Sequence, residues 1–269
     1  MPLTLTSDVA PVAASWVEVL DVPVDLLGSV GVEEWVRGQL SSGDACAHLA
    51  TTNPEYIMTA RRDPDFSAAL REAELSTIDG AGLAVAVRLL APNADASRVT
   101  GVDLTWMLAR ISAETGDGIF LLGAAPGIAD KAADRMRAAY PGANIVGAWA
   151  EGSPAPTHDA ESIRRIAESG ATILLVAYGA PKQIHWIARN REALSASGVR
   201  LVIGVGGALD YVSGETRWAP PLVRKLGLEW AYRLVREPWR WRRQLVLPVF
   251  AVLVLREAVR QRINRLRRQ

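Results

Sequence analysis

One cysteine, three histidines and three lysines among 269 residues leave little material for several kinds of chemistry. A lone thiol, Cys46, excludes an intramolecular disulfide, so the chain reads as cytosolic, with Cys46 a small apolar residue of the interior. His48, His158 and His185 show no ligand spacing and have no cysteine cluster to join, so no structural zinc site and no other metal site is expected. The opening residues, MPLTLTSDVAPVAASW, lack the basic stretch and apolar core of a secretory signal. The uncharged run from Gln244 to Leu255 falls short of the ~20 apolar residues that a membrane span needs.

Against these absences stands a division of charge. Thirty basic residues nearly balance 29 acidic ones. Residues 217–269 nevertheless carry 14 basic and 3 acidic residues, which leaves 16 and 26 for residues 1–216. The chain therefore reads as an acidic body, 1–216, and a basic amphipathic appendage, 217–269, suited to phosphates on nucleic acid or on a membrane surface. Within EWAYRLVREPWRWRRQLVLPVF, residues 229–250, Arg233, Arg236, Arg240 and Arg243 follow at intervals of 3, 4 and 3. At ~100° per residue they share an arc of about 80° on a continuous helix, although Pro238 splits the row if it begins a second helix. Guanidinium forks match phosphate oxygens, and Trp230, Trp239 and Trp241 suit a membrane interface. Followed by LVLPVFAVLVL, the segment predicts peripheral membrane association rather than a merely solvated face.

The body alternates short apolar runs with stretches of helical period, the mark of an α/β fold with helices on both faces of a mostly parallel, Rossmann-like sheet. Strands are expected at 48–52, 74–79, 118–123, 144–149, 172–179 and 200–207, with an extra hairpin or edge strand in VEVLDVPVDLLG. Helical stripes include Ile128, Ala132, Met136 and Tyr140. In such sheets ligands bind at the carboxyl ends of the strands, where helix starts offer unpaired amides.

Four strand exits carry candidate residues. TTNP and TIDG place Thr51, Asn53 and Asp79 there, and Asp79, at the start of an expected helix, is a carboxylate able to deprotonate a hydroxyl. Asn-Pro and Asp-Gly are also ordinary turn and cap pairs. FLLGAAPG offers Gly123 and Gly127 for close approach to a diphosphate, without the strict dinucleotide or P-loop pattern. YGAPKQ adds Gly179, Pro181, Lys182 and Gln183, and GVGGALDYVSGE adds Asp210 for a sugar hydroxyl or as a cap. The DPD at 63–65 is read as a helix cap followed by a first-turn proline, not as a metal signature.

Taken in order, TTNPEYIMTARRDPDF, IDGAG, RVTGVDL, FLLGAAPG, YGAPKQ, GVGGALDYVSGE and LGLEWAYRLVREPWRWRR resemble the WecG/TagA/CpsF glycosyltransferases, bacterial enzymes that extend lipid-linked precursors of surface polymers. The resemblance runs from about Val17 to Leu255. It implies a T-x-N element on Thr51 and Asn53, a catalytic aspartate on Asp79, an arginine on Arg98 and a glutamine on Gln183. It also implies lipid-diphosphate and membrane contacts from Arg233, Arg240 and Arg243. Three elements depart from the family: Ile184 stands where Glu is usual, Trp218 stands where Arg is expected with Arg217 displaced by one, and AWAEG follows IVG where the family often has Gly-Tyr.

The resemblance implies an inverting, metal-independent and cofactor-free transfer of a hexose-type unit, N-acetylmannosamine-like or related, from a UDP-sugar to a polyprenyl-diphosphate-linked sugar. Asp79 would be the general base, with Arg98 and the glycine-lined helix starts holding the diphosphate. The expected place is the inner face of the plasma membrane, with no nucleic-acid partner and with self-association compatible. An NAD-dependent oxidoreductase of doubly wound fold is the competing reading; it lacks the dinucleotide fingerprint and leaves the basic tail unexplained. A nucleic-acid binder using the tail as its basic patch is a third.

Overall fold

The computed structural model describes residues 16–43, 45–220, 222–223, 227, 229–236, 238, 241 and 245–267, without the side chains of Arg233 and Arg265. Six strands, β3 (Ala47–Thr52), β4 (Leu75–Ile78), β5 (Ile119–Gly123), β6 (Ile145–Trp149), β7 (Ile173–Ala177) and β8 (Leu201–Gly204), form one sheet in the order β4-β3-β8-β7-β5-β6. Every pairing is parallel. The expected strands are all present, and the architecture is a Rossmann-like α/β fold. The extra element is a separate antiparallel hairpin, β1 (Trp16–Val19) and β2 (Val22–Asp25), turned through Leu20 and Asp21 at φ 51° and 70°.

Side chains leave a strand on alternate faces, which sorts the apolar runs into two layers. Ile119, Leu121, Ile173, Leu175, Leu201 and Ile203 face the layer built by α1 (Ser29–Ser42), α5 (Gly101–Thr115), α6 (Ile128–Ala139) and α9 (Ala208–Val212). Phe120, Leu122, Leu174, Val176 and Val202 face α7 (Asp159–Ser169) and α8 (Lys182–Ala196), where Cys46 is also buried. A third core lies under the hairpin, between α2 (Pro54–Ala60), α3 (Pro64–Arg71) and α4 (Ala81–Leu90).

The tail forms α10 (Glu229–Arg236) and α11 (Val246–Leu266) among its described residues. α11 packs on α4 and α2, and its Phe250 and Val254 are 3% and 2% exposed within the hairpin core. Glu257 reaches the hairpin turn, where its Oε2 accepts from the Leu20 amide at 3.2 Å. No described helix is long and apolar enough to cross a membrane.

Helix starts follow local chemistry. Asn53 caps α2 ahead of Pro54, and Asp63 caps α3 ahead of Pro64, accepting from the Phe66 amide at 3.0 Å. The DPD is thus a cap, as its sequence suggests, and the second Asp63 oxygen meets His185 Nε2 at 2.9 Å. Thr100 and Asp103 close a reciprocal capping box on α5. Because the parallel register aligns Thr52 with Ile78, Gly123 with Ala177, and Val176 with Gly204, the strand exits open on one edge.

Candidate active site

A cleft of about 1260 Å³ lies along that edge. Thr51, Asn53, Asp79, Gly179, Gln183 and Asp210 all line it, so four separate strand exits meet in one place. Arg98, Gly123, Gly127, Pro181 and Lys182 are not part of its described lining. Between Gly123 and Gly127, however, Ala124 and Ala125 are, and Gly127 caps α6. Lys182, the first residue of α8, is exposed to solvent. Arg240, Arg243 and the side chain of Arg233 lie outside the described residues.

Asp79 directly follows β4, half-buried, and its amide donates to the Thr52 carbonyl at 2.8 Å. Gly80 follows at φ 94°, a conformation that only glycine adopts without strain, and turns the chain into α4. The carboxylate is thereby carried at the rim between sheet and helix. Asn53 uses its Oδ1 to accept from the Tyr56 amide at 3.0 Å, leaving its amide nitrogen as the group it can offer. Thr51 donates its hydroxyl to the Gly204 carbonyl at 3.0 Å, so what it can offer is oxygen lone pairs. Gln183, 2% exposed, accepts from the Gly179 amide at 3.0 Å and donates Nε2 to the Tyr56 hydroxyl at 2.6 Å.

Gln183 explains one glycine. A Cβ on Gly204 would lie 2.7 Å from Gln183 Nε2, so the amide lies across the exit of β8 only because no side chain stands there. Tyr56, 4% exposed, lines the cleft beside this group. Burial pushes its phenol far above the ordinary range; Gln183 and Thr51 oppose that, while the Asp79 carboxylate adds to it. Tyr56 was not singled out by sequence reasoning, because an aromatic in the first turn of a helix reads as core.

The far wall comes from the tail. Leu247, Pro248, Phe250, Ala251, Val254 and Leu255 line it from α11. Glu229 and Trp230 line it from α10, and Glu229 Oε2 lies 3.3 Å from Arg98 Nη1 with both side chains about a quarter exposed. Arg98 therefore joins the body to the tail. Trp218, at the position where the resemblance expects arginine, also lines the cleft, its ring 6.2 Å from that of Tyr211. Ile184 is fully buried in the hairpin core and is not part of the described lining of the cleft.

Four carboxylates, Glu55, Asp79, Asp210 and Glu229, line the cleft, with no lysine, arginine or histidine among its described lining. A cleft at the carboxyl edge of a Rossmann-like sheet, with a carboxylate at its rim and amides beneath, suits a sugar whose hydroxyl must lose a proton. The profile of the glycosyl transferase WecG/TagA/CpsF family matches residues 17–264, and the chain belongs to that family of glycosyltransferases of cell-wall or polysaccharide synthesis.

Proposed function

We propose that the cleft moves a hexose-type sugar, N-acetylmannosamine-like or related, from a UDP-sugar to the hydroxyl of a polyprenyl-diphosphate-linked sugar. The acceptor oxygen bonds to the donor anomeric carbon as the bond to UDP breaks, its proton passes to Asp79, and the electron pair leaves on the β-phosphate. A single displacement of this kind inverts the anomeric centre. The observation that carries the reading is the position of Asp79, half-buried at the rim of the cleft into which the other strand exits open.

Around it, Asn53 offers an amide nitrogen, Gln183 its second amide hydrogen and Thr51 oxygen lone pairs to the sugars. The leaving diphosphate needs positive charge, which the described lining does not supply with side chains. The Ala124 amide is taken by the Ala177 carbonyl at 3.1 Å, so the Ala125 amide ahead of α6, together with Arg98 and the tail arginines Arg233, Arg240 and Arg243, is assigned that part.

The tail is assigned the lipid. Leu245, just ahead of α11, and Val249, Val252, Val259, Ile263 and Leu266 on it are all more than 40% exposed. At ~100° per residue they form one stripe roughly opposite Phe250 and Val254, with Arg256 inside it and Arg260 at its edge. An apolar stripe carrying guanidiniums suits an anionic membrane surface on its cytoplasmic side. Flotation with anionic vesicles, weakened by salt and by Val252→Asp with Ile263→Asp, is the expected behaviour; flotation unaffected by those changes would assign the contact elsewhere.

Asp79→Asn tests the chemistry. It removes the base while keeping size and polarity, so transfer is expected to fall about 10²–10⁴-fold. UDP binding, read by calorimetry, should persist. Turnover within a few-fold of the parent would remove Asp79 from the role of base. A screen of UDP-sugars and other nucleotide sugars against a short-chain polyprenyl-diphosphate acceptor identifies the donor.

A further inference from the structure

The buried polar chain beneath the cleft runs further than the residues that name the family. Asn53 Oδ1 holds the Tyr56 amide at 3.0 Å, which fixes the first turn of α2. The Tyr56 hydroxyl takes a hydrogen bond from Gln183 Nε2 at 2.6 Å, and Gln183 Oε1 takes one from the Gly179 amide at 3.0 Å. The exits of β3 and β7, far apart in sequence, are thus tied through two side chains, of which Gln183 lies over Gly204.

A carboxamide can rotate by half a turn and exchange its oxygen for its nitrogen. The Gly179 amide can only donate, which sets the oxygen end. The phenol must therefore receive the nitrogen end. Burial, the larger effect, keeps that phenol protonated, so it does not become a phenolate at working pH. With both ends set, one Nε2 hydrogen is committed to Tyr56 and the other keeps a single direction. The ring is held from behind by Phe66, whose centroid lies 5.4 Å away at 79°.

We infer that Tyr56 is a positioning residue for transfer: its hydroxyl locks the Gln183 carboxamide so that the free amide hydrogen is presented to the bound sugar. This rests on the reading of Gln183 as a sugar-orienting group. The hydroxyl acts through Gln183 and forms no bond to the reacting atoms.

Tyr56→Phe keeps the ring and removes the oxygen. In steady-state turnover of the UDP-sugar that the donor screen selects, kcat is expected to fall about 10- to 100-fold with donor KM changed less than threefold. In a Gln183→Ala background the same substitution should cost nothing more, because the group it positions is gone. A Tyr56→Phe enzyme with parental kcat, or losses that multiply across the two sites, would overturn the inference.

The second readout needs no turnover. In the parent, the Gln183 side-chain amide, assigned by its loss in Gln183→Ala, should exchange slowly with solvent deuterium; in Tyr56→Phe it should shift and exchange at least tenfold faster. An unchanged amide signal overturns the lock. If the parent turns over no nucleotide sugar, the transfer reading fails by itself while the amide measurement still decides the Tyr56–Gln183 link.

Discussion

Where the sheet meets the cleft, each polar group is tied to another: Thr51 to the Gly204 carbonyl, Asn53 to the Tyr56 amide, Gln183 to both Tyr56 and Gly179. Where α11 meets it, the lining is aliphatic and aromatic, and the same helix sends Phe250 and Val254 into the body. The floor gains position from directional bonds that fail if one partner moves. The wall gains adhesion from apolar area, which tolerates sliding. The reaction proposed above, with one soluble and one lipid-linked substrate, would ask for both: a floor to fix the transferred sugar and a greasy, adaptable side to admit the carrier.

The largest effect belongs to the wall. Phe250→Ala removes a ring that is 3% exposed in the hairpin core, and such truncations cost about 3–5 kcal/mol. If the tail is continuous with the body, a single thermal transition should move down by several degrees. If residues 217–269 behave as a separate appendage, the main transition should stay and only a minor one should shift. The boundary at 217 remains a proposal that this melt decides.

The body carries a different liability at the other end of the sheet from the cleft. His48 on β3 is 2% exposed, and its Nε2 has no hydrogen-bond partner. Burial, and then the Arg191 charge, lower its pKa from 6.5 to about 3. The native state thus holds His48 neutral while the unfolded chain protonates it below about 6.5. Stability is lost as pH falls from about 6.5 towards about 3, at up to ~1.4 kcal/mol per pH unit from this group. His48→Leu should flatten that part of a urea-midpoint-against-pH curve. A curve of unchanged slope would assign the acid sensitivity to carboxylates.

A smaller effect lies at the rear of the floor, where Asp63 caps α3 and meets His185. The Phe66 amide is the main reason the Asp63 carboxyl sits below the usual range, with His185 adding to it. Its contribution is present above the unfolded carboxyl pKa and is lost as pH falls through the lower native one. Asp63→Ala should cost about 1 kcal/mol at neutral pH, and Asp63→Asn distinctly less, since Asn also caps. Equal losses would credit the His185 contact rather than the cap.

The floor was largely legible in the sequence because its logic is local: an apolar run, then a polar residue, then a helix start. Thr51, Asn53, Asp79, Gln183 and Asp210 all follow that grammar, and all reach the cleft. The wall was not, because α11 is apolar on two faces. Nothing in the order of Val249, Phe250, Val252 and Val254 says that the second and fourth face the body and the others solvent. Nor does local pattern reveal Tyr56, whose hydroxyl meets a side chain 127 positions away. Arg98, assigned from the resemblance to the diphosphate, meets Glu229 across 131 positions, a pairing of two surface-type residues that no period predicts.

That pair is the joint between floor and wall, and it offers the finest test of their separation. Arg98 and Glu229 stand 3.3 Å apart with side chains 28% and 24% exposed, so solvent screens the attraction, and a double-mutant cycle should return about 0.2–1 kcal/mol of coupling in stability. Arg98 has also been assigned to the donor diphosphate. If it serves there, saturating UDP should draw the guanidinium from Glu229, and the coupling should shrink towards zero in the bound enzyme. Coupling that survives saturation would keep Arg98 as a structural tie between body and tail, leaving the diphosphate to the Ala125 amide ahead of α6 and to the tail arginines.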